Sequence, residues 1–279
     1  MIKILVDSSS ELTKKEAEEK GYLFVPIGVS LGGKEYADGV DLTKDKFYEL
    51  LTGSGEFPQT SQPSPQAFLE LFEQAKRDGD EIVAILLSSA LSGTYQSAVL
   101  AKQMVDYEGI YLIDSLTATG VIQILADYAK ELSEEGKGAA EVAERTDAFK
   151  ARVHAIAMVD TLEFLQKGGR IGKTAAMIGE LARLKPLITL TEDGRVGVIG
   201  KAIGKNKAMS FMMKWLEEHP VDEAFPSYSI FTSGTANCEQ FEEKLEKHGI
   251  ATAGRLQLGA AIGTHIGPNA FGIVYVGKE

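Results

Sequence analysis

Five short apolar runs in this chain close with Asp, Ser or Thr: Val6-Asp7-Ser8-Ser9-Ser10, Leu86-Leu87-Ser88-Ser89, Ile113-Asp114-Ser115, Val159-Asp160-Thr161 and Phe231-Thr232-Ser233-Gly234. If the runs are strands that feed helices, hydroxyls and carboxylates collect at strand ends. An open α/β sheet binds its ligands there, in the crevice beyond the carboxyl edge. For any single residue of this kind, capping a helix N-terminus is the commoner role. Five in one chain, with further Ser/Thr-Gly clusters, point to a site built from hydroxyls and backbone N–H groups.

Four other constellations carry candidate chemistry. In Pro58-Gln59-Thr60-Ser61-Gln62-Pro63-Ser64-Pro65, Pro58 and Pro63 stiffen a loop that presents adjacent hydroxyls ahead of a helix N-terminus, a place suited to anions. In Ser88-Ser89-Ala90-Leu91-Ser92-Gly93-Thr94-Tyr95, the glycine sits where a strand turns into a helix and lets backbone approach a ligand. Together the two loops offer neutral donors for a carboxylate or phosphate. His265, within Gly263-Thr264-His265-Ile266-Gly267-Pro268-Asn269, has the setting of a site residue in a loop, which His154, His219 and His248 lack. No pair of histidines has metal-ligand spacing, so no metal site is expected. Gly168-Gly169-Arg170-Ile171-Gly172-Lys173-Thr174 invites comparison with a nucleotide P-loop, but that motif requires glycine where Lys167 stands, and Thr161–Gln166 does not read as a strand. It is instead a basic turn offering Arg170 and Lys173 to an anion or an acidic partner. Ser92 and His265 with Asp7 or Asp114 make a nominal hydrolytic triad, although no Gly-x-Ser-x-Gly elbow surrounds Ser92.

The elements that must position these residues alternate in type. Ile2–Val6 reads as a buried strand, followed by a helix for which Thr13 and Glu16 form a capping box. Tyr22–Ser30 is strand-like. Thr43 caps a helix through Leu51, and Ser64-Pro65 opens another over Gln66–Lys76. Strands at Glu81–Leu87 and Ile110–Ile113 bracket a helix at Thr94–Val105, and helices follow at Gly120–Glu134 and Ala139–Lys150. Such alternation predicts a mostly parallel sheet covered on both faces. From Val153 the texture changes. Strands are expected at Ala155–Val159, Ser229–Thr232 and Gly272–Val276. Leu187–Thr191 and Arg195–Ile199 flank a turn at Glu192-Asp193-Gly194, and helices are expected at Lys207–Glu218 and Ala236–Lys247. This places an N-terminal α/β domain over residues 1–153 and a C-terminal α/β domain over 154–279, although no linker marks the junction.

The 279 residues are 44% hydrophobic and 25% charged, the composition of a globular protein. A net charge of -11 argues against binding nucleic acid through its phosphates and against an anionic membrane surface. Cys238 stands alone, which excludes a disulfide framework. The first apolar run is too short for a signal peptide, and no run approaches a membrane span, so a cytoplasmic location without stable membrane insertion is expected.

Taken in order, Val6-Asp7-Ser8-Ser9-Ser10-Glu11-Leu12, Thr60-Ser61-Gln62-Pro63-Ser64, Leu91-Ser92-Gly93-Thr94-Tyr95-Gln96-Ser97-Ala98, Asp114-Ser115, Asp160-Thr161-Leu162-Glu163-Phe164-Leu165 with Gly168-Gly169-Arg170-Ile171, and Gly263-Thr264-His265-Ile266-Gly267-Pro268 resemble the DegV family, the fatty-acid-binding subunits of bacterial fatty acid kinase. Each piece is weak alone, and six in this order along the whole chain are specific.

The resemblance implies two α/β domains of the DegV type with a long-chain fatty acid between them and no catalytic residue or cofactor of the chain's own. By motif, Thr60 and Ser92 would bind the carboxylate with His265 nearby, and Ser61 and Gly93 would adjoin through side chain or backbone. A separate ATP-dependent kinase would phosphorylate the carboxylate for phospholipid synthesis, with Arg170, Lys173 and Lys201 meeting the kinase or the new phosphate. The physics accords with this: a carboxylate leaving water needs charge-assisted donors, and neutral ones avoid a permanent ion pair. Burying about 14 methylenes contributes on the order of 10 kcal/mol before losses of ligand freedom. Ile27, Phe164, Leu165, Met177, Ile178 and Phe271 are candidates for the tail wall. The alternatives are a Ser/His lipid or ester hydrolase and a binder of a phosphorylated small molecule.

Overall fold

A run such as Ile82-Val83-Ala84-Ile85-Leu86, fully buried along its length, belongs in a sheet covered on both faces. The computed structural model describes residues 1–172 and 184–278 and places it there. In the first half the elements are β1 (Ile2–Asp7), α1 (Lys14–Glu19), β2 (Leu23–Val25), β3 (Gly28–Leu31), β4 (Lys34–Ala37), α2 (Lys44–Ser54), β5 (Gln59–Ser61), α3 (Pro65–Asp78), β6 (Glu81–Leu86), α4 (Thr94–Val105), β7 (Ile110–Asp114), α5 (Gly120–Glu134) and α6 (Ala139–Phe149). The second half has β8 (Val153–Met158), α7 (Glu163–Lys167), β9 (Leu184–Leu190), β10 (Val196–Ile203), α8 (Lys205–Glu218), β11 (Tyr228–Phe231), α9 (Ala236–Lys247), β12 (Gly254–Gln257), α10 (Ala260–Ile266) and β13 (Phe271–Val276).

β2, β1, β6 and β7 form a parallel sheet in that order. Alternate residues serve opposite faces. Leu5, Ile82, Ala84 and Leu86 pack with Phe68 and Phe72 of α3 and Ala98 and Ala101 of α4. Ile4, Val6, Val83 and Ile85 pack with Val121 and Leu125 of α5 and Val142 of α6. The second half is a six-stranded sheet, β10-β9-β8-β13-β11-β12, in which only β11 and β12 are parallel. Ile156, Met158, Ile273 and Tyr275 bury one of its faces against Met209 and Met212 of α8 and Phe241 of α9. The other face, through Ala155, Ala157, Ile188 and Val274, joins the cluster beneath α5. Helix α5 therefore lies between the two sheets, against β1 and β6 on one side and β8 and β13 on the other, and the sheets share one apolar layer through it. Val153, the last residue of the expected N-terminal domain, is the first residue of β8, which follows a 3-10 turn at Lys150–Arg152.

Several expectations differ from the fold. Tyr22–Ser30 is two strands rather than one, because Pro26, which has no N–H for a ladder, separates β2 from β3. β3 turns away into an antiparallel sheet, β4-β3-β5. Part of the presumed loop Pro58–Pro65 is thus a strand, with Thr60 opposite Val29 and Ser61 opposite Gly28. His265 lies in the last turn of α10, not in a loop; Gly267, at φ 74, ends that helix. β10 continues to Ile203 through a bulge between Val198 and Gly200.

Candidate functional site

The shared layer is incompletely filled. Between the six-stranded sheet and the loops that follow β2, β6 and β7 lies a cavity of about 100 Å³. Ala155 and Ala157 of β8 and Ile188 of β9 form one wall, while Ile27, Leu87 and Ala118 form the opposite one. Ala261, Ile262 and Ile266 of α10 run along it. Ala155 and Ala157 put only a methyl each into this face of β8, while Ile156 and Met158 point into the opposite core, and this leaves the space.

Polar side chains gather at the mouth: Thr60, Ser92, Arg170 and His265 all line it. Thr60 Oγ1 stands 3.0 Å from His265 Nε2. Ser92 Oγ shares a hydrogen bond with Thr94 Oγ1 at 2.9 Å and accepts one from the Thr94 N–H at 3.3 Å. The Arg170 Nε–H donates to the carbonyl of Leu91 at 3.0 Å, and a second guanidinium N–H donates to the carbonyl of Gly168. Both acceptors are neutral, and burial lowers the pKa of this guanidinium from its usual range.

Burial, and secondarily the charge of Arg170, hold the His265 imidazole at a pKa of about 4, so it is neutral at pH 7. Its Nδ1 is buried without a hydrogen-bond partner among the described residues. An orphaned lone pair is more readily tolerated than an orphaned N–H, which favours the tautomer protonated at Nε2. In that tautomer His265 donates to Thr60 Oγ1, which leaves the Thr60 hydroxyl proton free to donate elsewhere.

The helix that carries His265 is anchored at its other end. The Glu11 carboxylate accepts from the Gly259 N–H, and Asp38 accepts from the N–H groups of Ala260 and Ala261 at 3.0 and 3.1 Å. These are donors that the helix cannot satisfy internally. Glu11 is itself in the left-handed region at φ 68, and burial pushes its carboxyl up to about 8. Nothing in the local sequence around Ala37-Asp38-Gly39 marks this anchoring role.

The remaining expected site residues fall elsewhere. Ser61 is exposed and alternates away from Thr60, packed against Gly28. Gly93 is glycine because Gln62 lies over it: a Cβ would stand 1.8 Å from Gln62 Oε1, whose amide donates to Ser97 Oγ at 3.0 Å. Lys201 is exposed on β10 and does not line the cavity. Lys173, Met177 and Ile178 lie outside the described residues. Of the tail candidates, Ile27 and Leu165 line the cavity, Phe164 lines a chamber beside it, and Phe271 is buried in the other core with Phe241.

The strand-end carboxylates are occupied in the scaffold. Asp7 accepts from the Leu87 and Ser9 N–H groups at 2.8 and 2.9 Å, Asp114 accepts from Ser89 and Leu116, and Asp160 pairs with Lys185. The nominal triad is not assembled, since Ser92 pairs with Thr94 and His265 with Thr60, and Nδ1 meets no carboxylate. Among the described residues no cluster of His, Cys, Asp or Glu could hold a metal ion, and no helix is long and apolar enough to cross a membrane.

Comparison with known proteins bears on the whole chain. A family profile described as "Uncharacterised protein, DegV family" matches residues 1–278. A DegV domain-containing protein of Caldanaerobacter subterraneus subsp. tengcongensis is 36% identical over 279 residues, covering 99% of each chain. A Thermus thermophilus DegV family protein, solved in a study of its fatty acid binding, is 31% identical with a TM-score of 0.87 and 99% of both chains covered. DegV from Bacillus subtilis, described as a fatty acid binding protein, is 28% identical with a TM-score of 0.86 over 99% of both chains. A stearic acid-binding protein from Eubacterium ventriosum is 28% identical with a TM-score of 0.88, covering 100% of this chain and 99% of that one.

Proposed function

The chain belongs to the DegV family, and from that premise we propose that its cavity holds a long-chain fatty acid, with the carboxylate at Thr60, Ser92 and His265. The observation that carries this reading is a cavity walled by alanine and branched aliphatic side chains, with Thr60, Ser92, Arg170 and His265 together at its mouth. The apolar wall matches an acyl tail. The hydroxyls of Thr60 and Ser92 donate to a carboxylate without an ion pair in direct contact, so the ligand is held yet remains exchangeable. Ser61 and Gly93 serve by shaping the two loops rather than by touching the lipid.

The chain is a carrier, without catalytic residues, metal or cofactor of its own, and acts in the cytoplasm. It presents the carboxylate to a separate ATP-dependent fatty acid kinase, and the acyl phosphate formed there serves phospholipid synthesis. Lys167 in place of the P-loop glycine supports ATP being handled by another polypeptide. Arg170 at the mouth, together with Lys173 and the exposed Lys201, would meet the kinase or the phosphorylated head group.

Mass spectrometry of the purified protein tests this reading, first native and then denatured and extracted. A stoichiometric long-chain fatty acid released only on denaturation supports it. A folded protein that is empty and refuses added palmitate overturns it. Turnover of palmitoyl esters by the wild type, lost in Ser92→Ala, would revive the hydrolase alternative.

A further inference from the structure

A second chamber lies against the head-group position. It has a volume of about 310 Å³ and shares Thr60, Arg170 and His265 with the tail cavity. The rest of its lining is Phe57, Pro58, Gln59, Phe164, Lys167, Gly168 and Thr264, with no acidic residue. Phe57 and Phe164 contact each other with ring centroids 5.0 Å apart. The Lys167 ammonium lies 3.4 Å from the centroid of Phe57 and 3.0 Å from a Glu163 carboxylate oxygen. No carboxylate among the described residues forms an ion pair with Arg170.

The charge of this chamber does not suit a free fatty acid, whose single negative charge is already met by neutral donors at the wall between the two spaces. It suits what the carboxylate becomes. Adding a phosphoryl group to a carboxylate oxygen places a group of about -1.5 to -2 charge beyond that oxygen, on the side away from the tail. Such a group requires cationic partners when it leaves water.

We propose that the chamber bounded by Phe57, Phe164, Lys167 and Arg170 is the subsite for the phosphoryl group of the acyl phosphate, with Lys167 a contact made to the phosphorylated lipid and not to the free acid. Lys167 exchanges Glu163 and the Phe57 face for phosphate oxygens, and the two rings wall the group from water. This inference rests on the fatty-acid reading above.

The test compares palmitate with 2-oxoheptadecylphosphonate, in which a methylene replaces the bridging oxygen of palmitoyl phosphate, by titration of delipidated wild type and Lys167→Gln. Lys167 is half-exposed, so the substitution leaves the fold intact, and unchanged thermal melting checks this. The expected result is that Lys167→Gln weakens the phosphonate at least fivefold, increasingly at low salt, and changes palmitate less than twofold. Equal binding of the phosphonate by both proteins, or palmitate binding with no phosphonate binding, overturns the subsite and leaves the carrier reading standing. Inorganic phosphate bound in the chamber through Lys167, with the lipid phosphonate unaffected by the substitution, also overturns it in favour of a free phosphate. Failure of wild type to bind either lipid removes the carrier reading and the subsite with it.

Discussion

Gly168 supports the ring of His265 so closely that a Cβ on it would lie 2.2 Å from Nδ1. The glycine has φ -72, a helical conformation open to any residue, so what it supplies is space rather than backbone freedom. Gly168→Ala should therefore leave the fold standing and push the imidazole away from Thr60. The expected outcome is palmitate affinity reduced about tenfold, the worth of one hydrogen bond to a charged group, with melting shifted by only a few degrees. Unchanged affinity would show that the His265 ring does not orient Thr60.

His265 also carries a pH signature. Its pKa of about 4 lies below the ordinary 6.5. Between those values the unfolded chain takes up a proton that the folded chain refuses, so this residue subtracts stability as pH falls through that window and has no such effect above it. At pH 5 the loss is on the order of 2 kcal/mol relative to pH 7.5. Urea unfolding of wild type beside His265→Gln should show it only in the wild type. A bound carboxylate beside the ring favours the imidazolium, so palmitate should raise the pKa followed by NMR.

Glu11 titrates in the opposite sense. Its carboxyl is raised from 4.5 to about 8 by burial. The folded chain therefore holds a proton that the unfolded chain has released, and stability is lost as pH rises from 4.5 towards 8. Glu11→Gln keeps a neutral acceptor for the Gly259 N–H and should be more stable than wild type at pH 8.5 by about 1 kcal/mol or more. Wild type retaining the advantage there would mean that Glu11 is held ionised by Lys44 and the helix end.

Asp38→Ala strands the Ala260 and Ala261 N–H groups in a buried place, at a cost of about 3 kcal/mol. Because α10 carries His265, the same change should weaken palmitate binding even though Asp38 is remote from the mouth. Calorimetry and lipid titration on one preparation check both effects.

Ala157 sets the room available to the tail. Ala157→Leu adds three carbons to the cavity wall and should shift the co-purifying lipids to acyl chains shorter by about two to four carbons, each methylene displaced being worth about 0.8 kcal/mol. Overpacking costs about 1–3 kcal/mol of stability, so melting should fall slightly while the lipid distribution, read by mass spectrometry of extracts, moves.

The strand–helix alternation was legible because parallel strands buried on both faces read as unbroken runs such as Ile82–Leu86. Helix starts were legible because caps are local: Thr13 and Glu16 close the capping box at α1, and Ser64 caps α3 ahead of Pro65. The small sheet of β3, β4 and β5 was not legible. Its strands are three or four residues long, β3 reads together with β2 as one strand over Tyr22–Ser30, and β5 lies inside the stretch between Pro58 and Pro63 that reads as a loop. The strand-end carboxylates Asp7, Asp114 and Asp160 looked like site residues, yet their partners are backbone N–H groups, the Ser9 and Ser89 hydroxyls and Lys185. A sequence shows that such a group needs a partner but not which partner it finds.

What the sequence by itself determined is the family, through six short motifs in order, and the chemical types at the mouth: two hydroxyls, a histidine and an arginine. Only the tertiary structure decided which of them meet. Thr60 and His265 are 205 residues apart and are joined because β5 adds to β3 while α10 is anchored to Glu11 and Asp38 from the other half of the chain. Alanines at 155 and 157 read in the sequence as ordinary strand residues. They become a cavity wall only because the loops after β2, β6 and β7 and helix α10 are held over that face of β8, with too little side chain between them to close the gap.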